Sequence, residues 1–396
     1  MKNFIFISPE FPKFHYKFCD KLKKNGITVL GVSSTPKDEL KEELLTCLSD
    51  YYQVSSLDNY DEVMRAVAFF TYKYGKIDWI ESNSSNYLEL DSKLRKDFNI
   101  TTGVDSDTVG KYISRDDMKQ CYRKAHISTL RYAPVTTINK AKLFIERVGY
   151  PIVIKPDLMK KSYKHYEINN EKELYNFFEN IDSKEKYIME ELIEGNIITY
   201  DGICNSKGEV LMEACHIAPS IMNEINNEDM SYYTNIKVSN RLSAAGKKVI
   251  KGFDIKSRFF HLEFIKLNQT KRGLGKAGRY VALEADVRPA GGYTADMINY
   301  ANGVDIYQLW ADMIAFDEIR HSYEENKNYC VCASRRDNKN YLHTKDEIIT
   351  EYGNYIVMNE RLPEPFSNSM GNEIYAARLQ TMKQLEHFID FVLQKQ

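Results

Sequence analysis

The sequence predicts a two-part architecture, a parallel α/β unit at the N-terminus followed by α+β modules built on antiparallel strands. Three observations predict it. In "NFIFISPEFPKFHYKFCDKLKKNGITVLGV" a short apolar strand, an amphipathic helix, a turn at Gly26 and a second apolar strand follow one another, the order of a βα unit. Further along, "NIITYDGICNSKGEVLMEACHIA" reads strand, turn at Ser206-Lys207-Gly208, strand, which is a hairpin. The length of 396 residues exceeds one ordinary core and requires two or three packed domains.

A second α/β cycle follows the first. It runs through helix "EVMRAVAFFTYKYG", strand "KIDWIES" and helix "SNYLELDSKLRKDF", with Ser84 or Ser85 as the cap of the last. Residues 1–108 thus form a small α/β domain, in which Ser8-Pro9-Glu10 stands where a dinucleotide site would have a glycine-rich loop. Residues 109–194 form a small α+β module. It opens on helix "SRDDMKQCYRKAHIS", capped by Ser114, and continues with a short strand at Ala133-Pro134-Val135. Helix "KAKLFIERVG", strand "YPIVIKP", helix "EKELYNFFEN" and strand "EKYIMEEL" complete it. Residues 195–396 hold the hairpin, helix "NRLSAAGKKVIKGF", strands "SRFFHLEFIKL" and "RYVALEADVRP", and a closing C-terminal region. In that region "CVCASRRDNKNYLH" reads as a strand pair and "NEIYAARLQTMKQLEHFIDFVLQ" as one helix, with Ile374, Ala377, Leu385, Phe388 and Ile389 as its packing face.

Composition excludes several classes. Lys and Arg total 54 against 56 Asp and Glu, so there is no global basic field for nucleic acid or an anionic membrane, and any anion site must be local. No window approaches the roughly 18 apolar residues that span a bilayer, and "NFIFI" is too short for a secretory signal, so a cytoplasmic protein is expected. The 7 cysteines contain no CxxC pair; Cys330 and Cys332 share one strand face and read as buried reduced thiols. "GLGKAG" at 273–278 matches GxGxxG, but a strand follows it where a helix is required, so it is a hairpin tip.

The chemistry is concentrated on two strands. In "RYVALEADVRPAGG" a period of two puts Glu284, Asp286 and Arg288 on one face, and in "FFHLEFI" it puts His261 and Glu263 on one face. If the two strands pair across "KLNQTKRGLGKAG", Glu263 joins the other two acids. Three carboxylates in one space require a counter-ion, and hard oxygen donors suit Mg²⁺. Arg288 is then placed to neutralise a phosphoryl or carboxylate group, and Pro289-Ala290-Gly291-Gly292 fits a tight turn with close backbone approach to a ligand.

Taken in order, "YPIVIKP", "YIMEELIEG", "FHLEFI" and "LEADVRPAGG", preceded by a small α/β domain, resemble the ATP-grasp superfamily of carboxylate-amine ligases. Within it the chain is similar to carbamoyl phosphate synthetase, biotin carboxylase and amino-acid ligase types. The resemblance implies the ATP-grasp fold, with residues 1–108 as the domain that precedes it, 109–194 as the small subdomain over ATP and 195–396 as the large one. It also implies an ADP-forming reaction in which a carboxylate becomes an acylphosphate that an amine attacks, with an amino acid or peptide-like substrate. The cofactors implied are ATP and Mg²⁺, or Mn²⁺ in its place, and the partners small molecules or a second copy in a homodimer, with no nucleic acid or membrane. By position, Lys155 and Arg115 resemble the cations on the phosphates, and Lys160, Lys161 and Lys164 lie in the loop over them. Glu190 resembles the adenine-side acid, and Glu191 and Ile193 the backbone hinge contacts. Glu263, Glu284 and Asp286 resemble the metal ligands, and Arg288 and Lys155 the catalytic cations that steady the transferring phosphoryl group.

Three departures stand out against that pattern. Asp286 holds a position usually taken by Asn. Ile197 stands where a ribose-side acid is expected, with Asp201 on the same strand face as its substitute. The loop after Lys155-Pro156 has no glycine, so ammonium groups would have to replace backbone amides as phosphate donors. A chain that binds ATP without catalysis, as a sensor or partner protein, is the alternative that this loop supports.

Overall fold

The computed structural model describes residues 2–159, 165–182, 184–193, 195–218, 229–323, 326–362, 367 and 370–396. Lys160, Lys161 and Lys164 lie outside them, as does most of the acidic "NEINNED" segment.

Three sheets organise the chain. The first is parallel, in order β3-β2-β1-β4, with β1 Asn3–Ile7, β2 Thr28–Ser33, β3 Asp50–Gln53 and β4 Trp79–Glu81. Its inner strand β1 is apolar from Phe4 to Ile7 because both faces are covered: Phe4 and Phe6 pack with Phe18 and Trp310, while Ile5 and Ile7 pack with Val63, Val67 and Phe70. Trp310 belongs to helix Ile306–Phe316, so the chain's C-terminal half completes the core under this sheet.

The second sheet is antiparallel, in order β5-β8-β6-β7, with β5 Tyr132–Pro134, β6 Ile152–Pro156, β7 Tyr166–Ile168 and β8 Tyr187–Glu191. Helices Ile138–Val148 and Glu171–Asn180 cover one face through Phe144, Ile145, Leu174 and Phe177. The third sheet has nine strands. Eight follow the order β14-β13-β9-β11-β12-β15-β17-β16, and β10 pairs with β9 alone. Their spans are β9 Ile197–Cys204, β10 Val210–Ala214, β11 His216–Ala218, β12 Met230–Thr234, β13 Arg258–Lys266, β14 Tyr280–Asp286, β15 Tyr329–Arg335, β16 Ile356–Arg361 and β17 Glu373–Leu379. Among the described residues no helix is long and apolar enough to cross a membrane.

Three expectations about elements need correction. Helix Leu88–Asp97 begins after Tyr87, without a side-chain cap from Ser84 or Ser85. The segment read as a strand pair contributes one strand, β15, which pairs with β12 and β17; Tyr341 makes only an isolated bridge to Lys395. The last helix is half as long as expected. Residues 373–379 are strand β17, and the helix starts at Met382 behind a Thr381/Gln384 capping box. Ile374, Tyr375, Ala376 and Ala377 are buried on both faces of an inner strand, so their run has no alternation to betray it. Cys330 and Cys332 do share a face, both packed with Ile374 and Ala376, whereas Val331 and Ala333 face the opposite cluster.

His15 gives a pH prediction. It is 2% exposed among Phe6, Phe14 and Phe18, with its Nδ1 unpartnered, and burial holds its pKa down at about 3. The unfolded chain, near 6.5, takes up a proton first as pH falls, so stability is lost progressively from about pH 6.5 toward pH 3, by about 1.4 kcal/mol per pH unit. His15→Phe is expected to flatten that slope by about this amount in urea titrations between pH 6.5 and 4.5.

Candidate functional site

A cavity of about 310 Å³ lies where the second sheet faces the β13–β14 end of the third. The loop after β4 closes its floor with Ser85 and Asn86. All three parts of the chain therefore contribute walls.

On β6 the period of two sends Ile152 and Ile154 into the core behind the sheet and leaves Val153 and Lys155 on the cavity face. On β8 it does the same with Tyr187 and Met189 behind and Glu190 in front. Lys155 is 8% exposed and its Nζ lies 3.2 Å from Glu190 Oε2 and 3.9 Å from Glu284 Oε1. Arg115 begins helix Arg115–Lys124, which the Ser114 side chain caps by accepting from the Asp117 amide, as the sequence predicts. Its guanidinium donates to Glu284 Oε1 at 2.9 Å and to the Pro156 carbonyl at 2.7 Å. Burial alone would depress Lys155 and Arg115, but the carboxylates around them hold both pKa values above the ordinary range.

Across the cavity, β13 and β14 pair antiparallel with His261 opposite Asp286 and a register shift between Leu262 and Phe264. Glu263, Glu284, Asp286 and Arg288 all line the cavity, so the hairpin gathers the acids as expected. Each is turned to a cation: Glu284 to Arg115, Asp286 to Arg288 at 2.9 Å, and Glu263 to His261 at 3.3 Å. Arg288 also donates to Ser85 Oγ and to the Pro289 carbonyl at 2.8 Å. Among the described residues no three His, Cys, Asp or Glu side chains converge closely enough to chelate an ion. The donor set nonetheless suits a hard divalent cation: three carboxylates open to one cavity, with Glu263 and Glu284 side chains 27% and 20% exposed.

Glu190 differs from the expectation of an adenine contact. Both its oxygens are taken, Oε1 by Lys119 Nζ at 2.6 Å and Oε2 by Lys155. Burial would raise its pKa, yet the two lysines hold it at about 2. It is thus the anion that fixes two buried ammonium groups. Lys119 was not foreseen, although it sits one helical turn from Arg115 on the same face. Glu191 and Ile193 line the cavity, but the Glu191 N–H donates to the Arg131 carbonyl at 3.1 Å and Arg131 clamps its carboxylate at 2.6 and 3.0 Å.

Asp201 is not in the cavity. It is 2% exposed and shared by His216 Nδ1 at 2.8 Å and His261 Nδ1 at 2.5 Å. Burial would lower the His261 pKa, but Asp201 and Glu263 push it up to about 10. Asp201 therefore acts behind Glu263, through His261. The sequence reading also missed His165, which lines the cavity with its Nε2 buried and without a partner among the described residues, and which burial keeps at about 4 beside Lys155.

No protein-family model and no curated protein sequence matches the chain. Solved structures do. An L-amino acid ligase from Bacillus licheniformis superposes with a TM-score of 0.73 at 12% identity, over 98% of this chain and 96% of that one. The N5-carboxyaminoimidazole synthetase of Staphylococcus aureus, complexed with ADP, gives 0.71 at 15% identity over 98% and 96%. The biotin carboxylase domain of Hydrogenobacter thermophilus 2-oxoglutarate carboxylase, holding MgADP and bicarbonate, gives 0.67 at 14% identity over 95% and 86%.

Proposed function

From the ATP-grasp fold, which the chain has over nearly its full length, we propose that it is an ADP-forming, ATP-dependent ligase that activates a carboxylate as an acylphosphate and couples it to an amine, with amino acid or peptide-like substrates. One observation carries this reading. Two buried cations, Lys155 and Arg115, face three carboxylates and Arg288 across a single cavity built from the second and third sheets and the loop after β4.

Phosphoryl transfer needs positioning and charge neutralisation more than covalent help from the protein. Lys155 and Arg115 are already ionised and held by carboxylates, so phosphate oxygens would replace part of the Glu284 contact without any cation having to be brought in from solvent. Glu263, Glu284 and Asp286 would hold Mg²⁺. When bound, the ion supplies charge neutralisation and orientation of the phosphate chain. Arg288, fixed by Asp286 and Ser85, is the group that steadies the transferring phosphoryl. The second sheet forms one wall of the cavity and limits water that would hydrolyse a mixed anhydride.

The test is a coupled ADP-release screen with Mg-ATP over pairs of acids and amines, followed by mass analysis. Expected is ADP only where both substrates are present, with a product equal to their sum less one water. Tight ATP binding with no ADP from any pair would replace this reading with that of a non-catalytic nucleotide sensor.

A further inference from the structure

A second cavity, of about 570 Å³, shares no lining residue with the first among the described residues. It lies where the loop after β1 meets the turn before helix Thr294–Asn302 and edge strand β16. The two cavities are neighbours along the chain: Arg288 lines the first and Gly292 the second, and four residues span at most about 14 Å. Gly292 can take this place because it is a glycine. Its φ is +62°, and a Cβ there would come within 2.7 Å of Met370 Cε.

The walls are aromatic and cationic. Phe14, Tyr293 and Tyr300 are half-buried, and Phe11 is 46% exposed at the mouth, an apolar surface of the kind that marks ligand sites. Of the charges, Lys17 is taken by Asp296 at 2.8 Å, Arg361 by Asp337 at 2.7 Å, and Glu360 accepts from the Tyr293 hydroxyl at 2.6 Å. Among the described residues Lys13 and Lys41 line the same cavity with no carboxylate or hydrogen-bond partner, and against the one remaining carboxylate charge, on Glu360, the balance stays positive.

We propose that this cavity holds the non-reacting part of the acid substrate, a flat apolar or aromatic body carrying a second oxyanion that Lys13 and Lys41 receive. This rests on the ligase reading, which puts at Arg288 the phosphoryl group on its way to the reacting carboxylate. Stacking on the rings supplies affinity, and the two ammonium groups select acids with a distal negative charge over those without one. A carboxylate and a phosphate share the chemistry required.

The test is calorimetry on the full chain without ATP, using 3-(4-carboxyphenyl)propionate, the O-phosphate of 3-(4-hydroxyphenyl)propionate, and uncharged-ring 3-phenylpropionate. At least one of the doubly acidic probes is expected to bind about tenfold more tightly than 3-phenylpropionate, and which one does so identifies the distal group. In Lys13→Gln/Lys41→Gln, whose side chains are exposed and have no partner among the described residues, that advantage is expected to fall below about twofold. Equal binding of all three probes, binding of none, or an advantage that survives the double substitution overturns the proposal. The ligase reading fails separately, if a probe bound in this way yields no ADP with Mg-ATP and any amine.

Discussion

Replacing Glu284 by Gln is expected to cut Mg²⁺-dependent, substrate-stimulated ADP release by about 10³-fold or more while the fold survives. The side chain keeps its shape, and the amide oxygen still accepts from Arg115 Nε, which lies 2.9 Å from Glu284 Oε1. What is lost is a charge with two duties. Burial would push this carboxyl up, but Arg115 and Lys155 hold it well below the usual range, so it is fully ionised at neutral pH. Its charge neutralises those two cations, and it is one of three acids available to a metal ion. A neutral amide leaves the metal with two acids and leaves Arg115 and Lys155 in excess. Affinity for Mg-free ATP is therefore expected to stay level or tighten, as calorimetry would register. Turnover close to wild type would remove Glu284, and with it the metal assignment, from the mechanism. A melting temperature within about 3 °C of wild type would confirm that the loss is chemical.

How much of this site the sequence disclosed follows from how far each contact travels. Glu263, Glu284, Asp286 and Arg288 could be placed together because strand periodicity decides which face a side chain takes and strands β13 and β14 carry the three acids, whereas Lys155 was singled out only by the resemblance of its motif. Asp201 shows where periodicity stops. It does share a face with Ile197, which lines the cavity, but the register sets Asp201 against His261 and Ile197 against Ile265. Four residues of strand carry it about 13 Å along the sheet, to a position opposite Ala214 of β10 and out of the cleft. The role of Glu190 depends on Lys119, which sits on a helix far earlier in the chain and whose approach to strand β8 no local pattern encodes. The C-terminal strand was misread for the opposite reason: β17 is inner and covered on both faces, so its apolar run lacks the alternation that separates strand from helix.

Removing Glu81 is expected to destabilise the chain by about 3–5 kcal/mol, the largest stability effect foreseen for one substitution here. Its Oε2 accepts from Arg95 Nη2 at 3.0 Å and from Arg258 Nη2 at 2.8 Å, and all three residues are at most 3% exposed. Arg95 anchors the parallel sheet by donating to the Ile80 and Val104 carbonyls, and Arg258 opens β13 and donates to the Val287 carbonyl at 2.9 Å. Glu81 thus joins the first sheet to the backbone immediately before Arg288. In Glu81→Ala two guanidinium groups face each other in the interior without the shared anion, and neither can reach water. Glu81→Gln, which keeps an acceptor oxygen, is expected to cost less, about 1–3 kcal/mol. Asp91 tempers the effect. Burial and the neighbouring Glu81 charge raise its pKa to about 7, so loss of Glu81 frees it to ionise and answer Arg95. The double variant Glu81→Ala/Asp91→Asn should therefore lose more than the two single changes add up to. Urea unfolding midpoints of the four proteins at pH 7 decide the matter. Strict additivity would mean that Asp91 takes no part. A Glu81→Ala midpoint unchanged from wild type would mean that the two arginines are held by their carbonyl contacts alone, and that the link from the parallel sheet to Arg288 does not pass through this carboxylate.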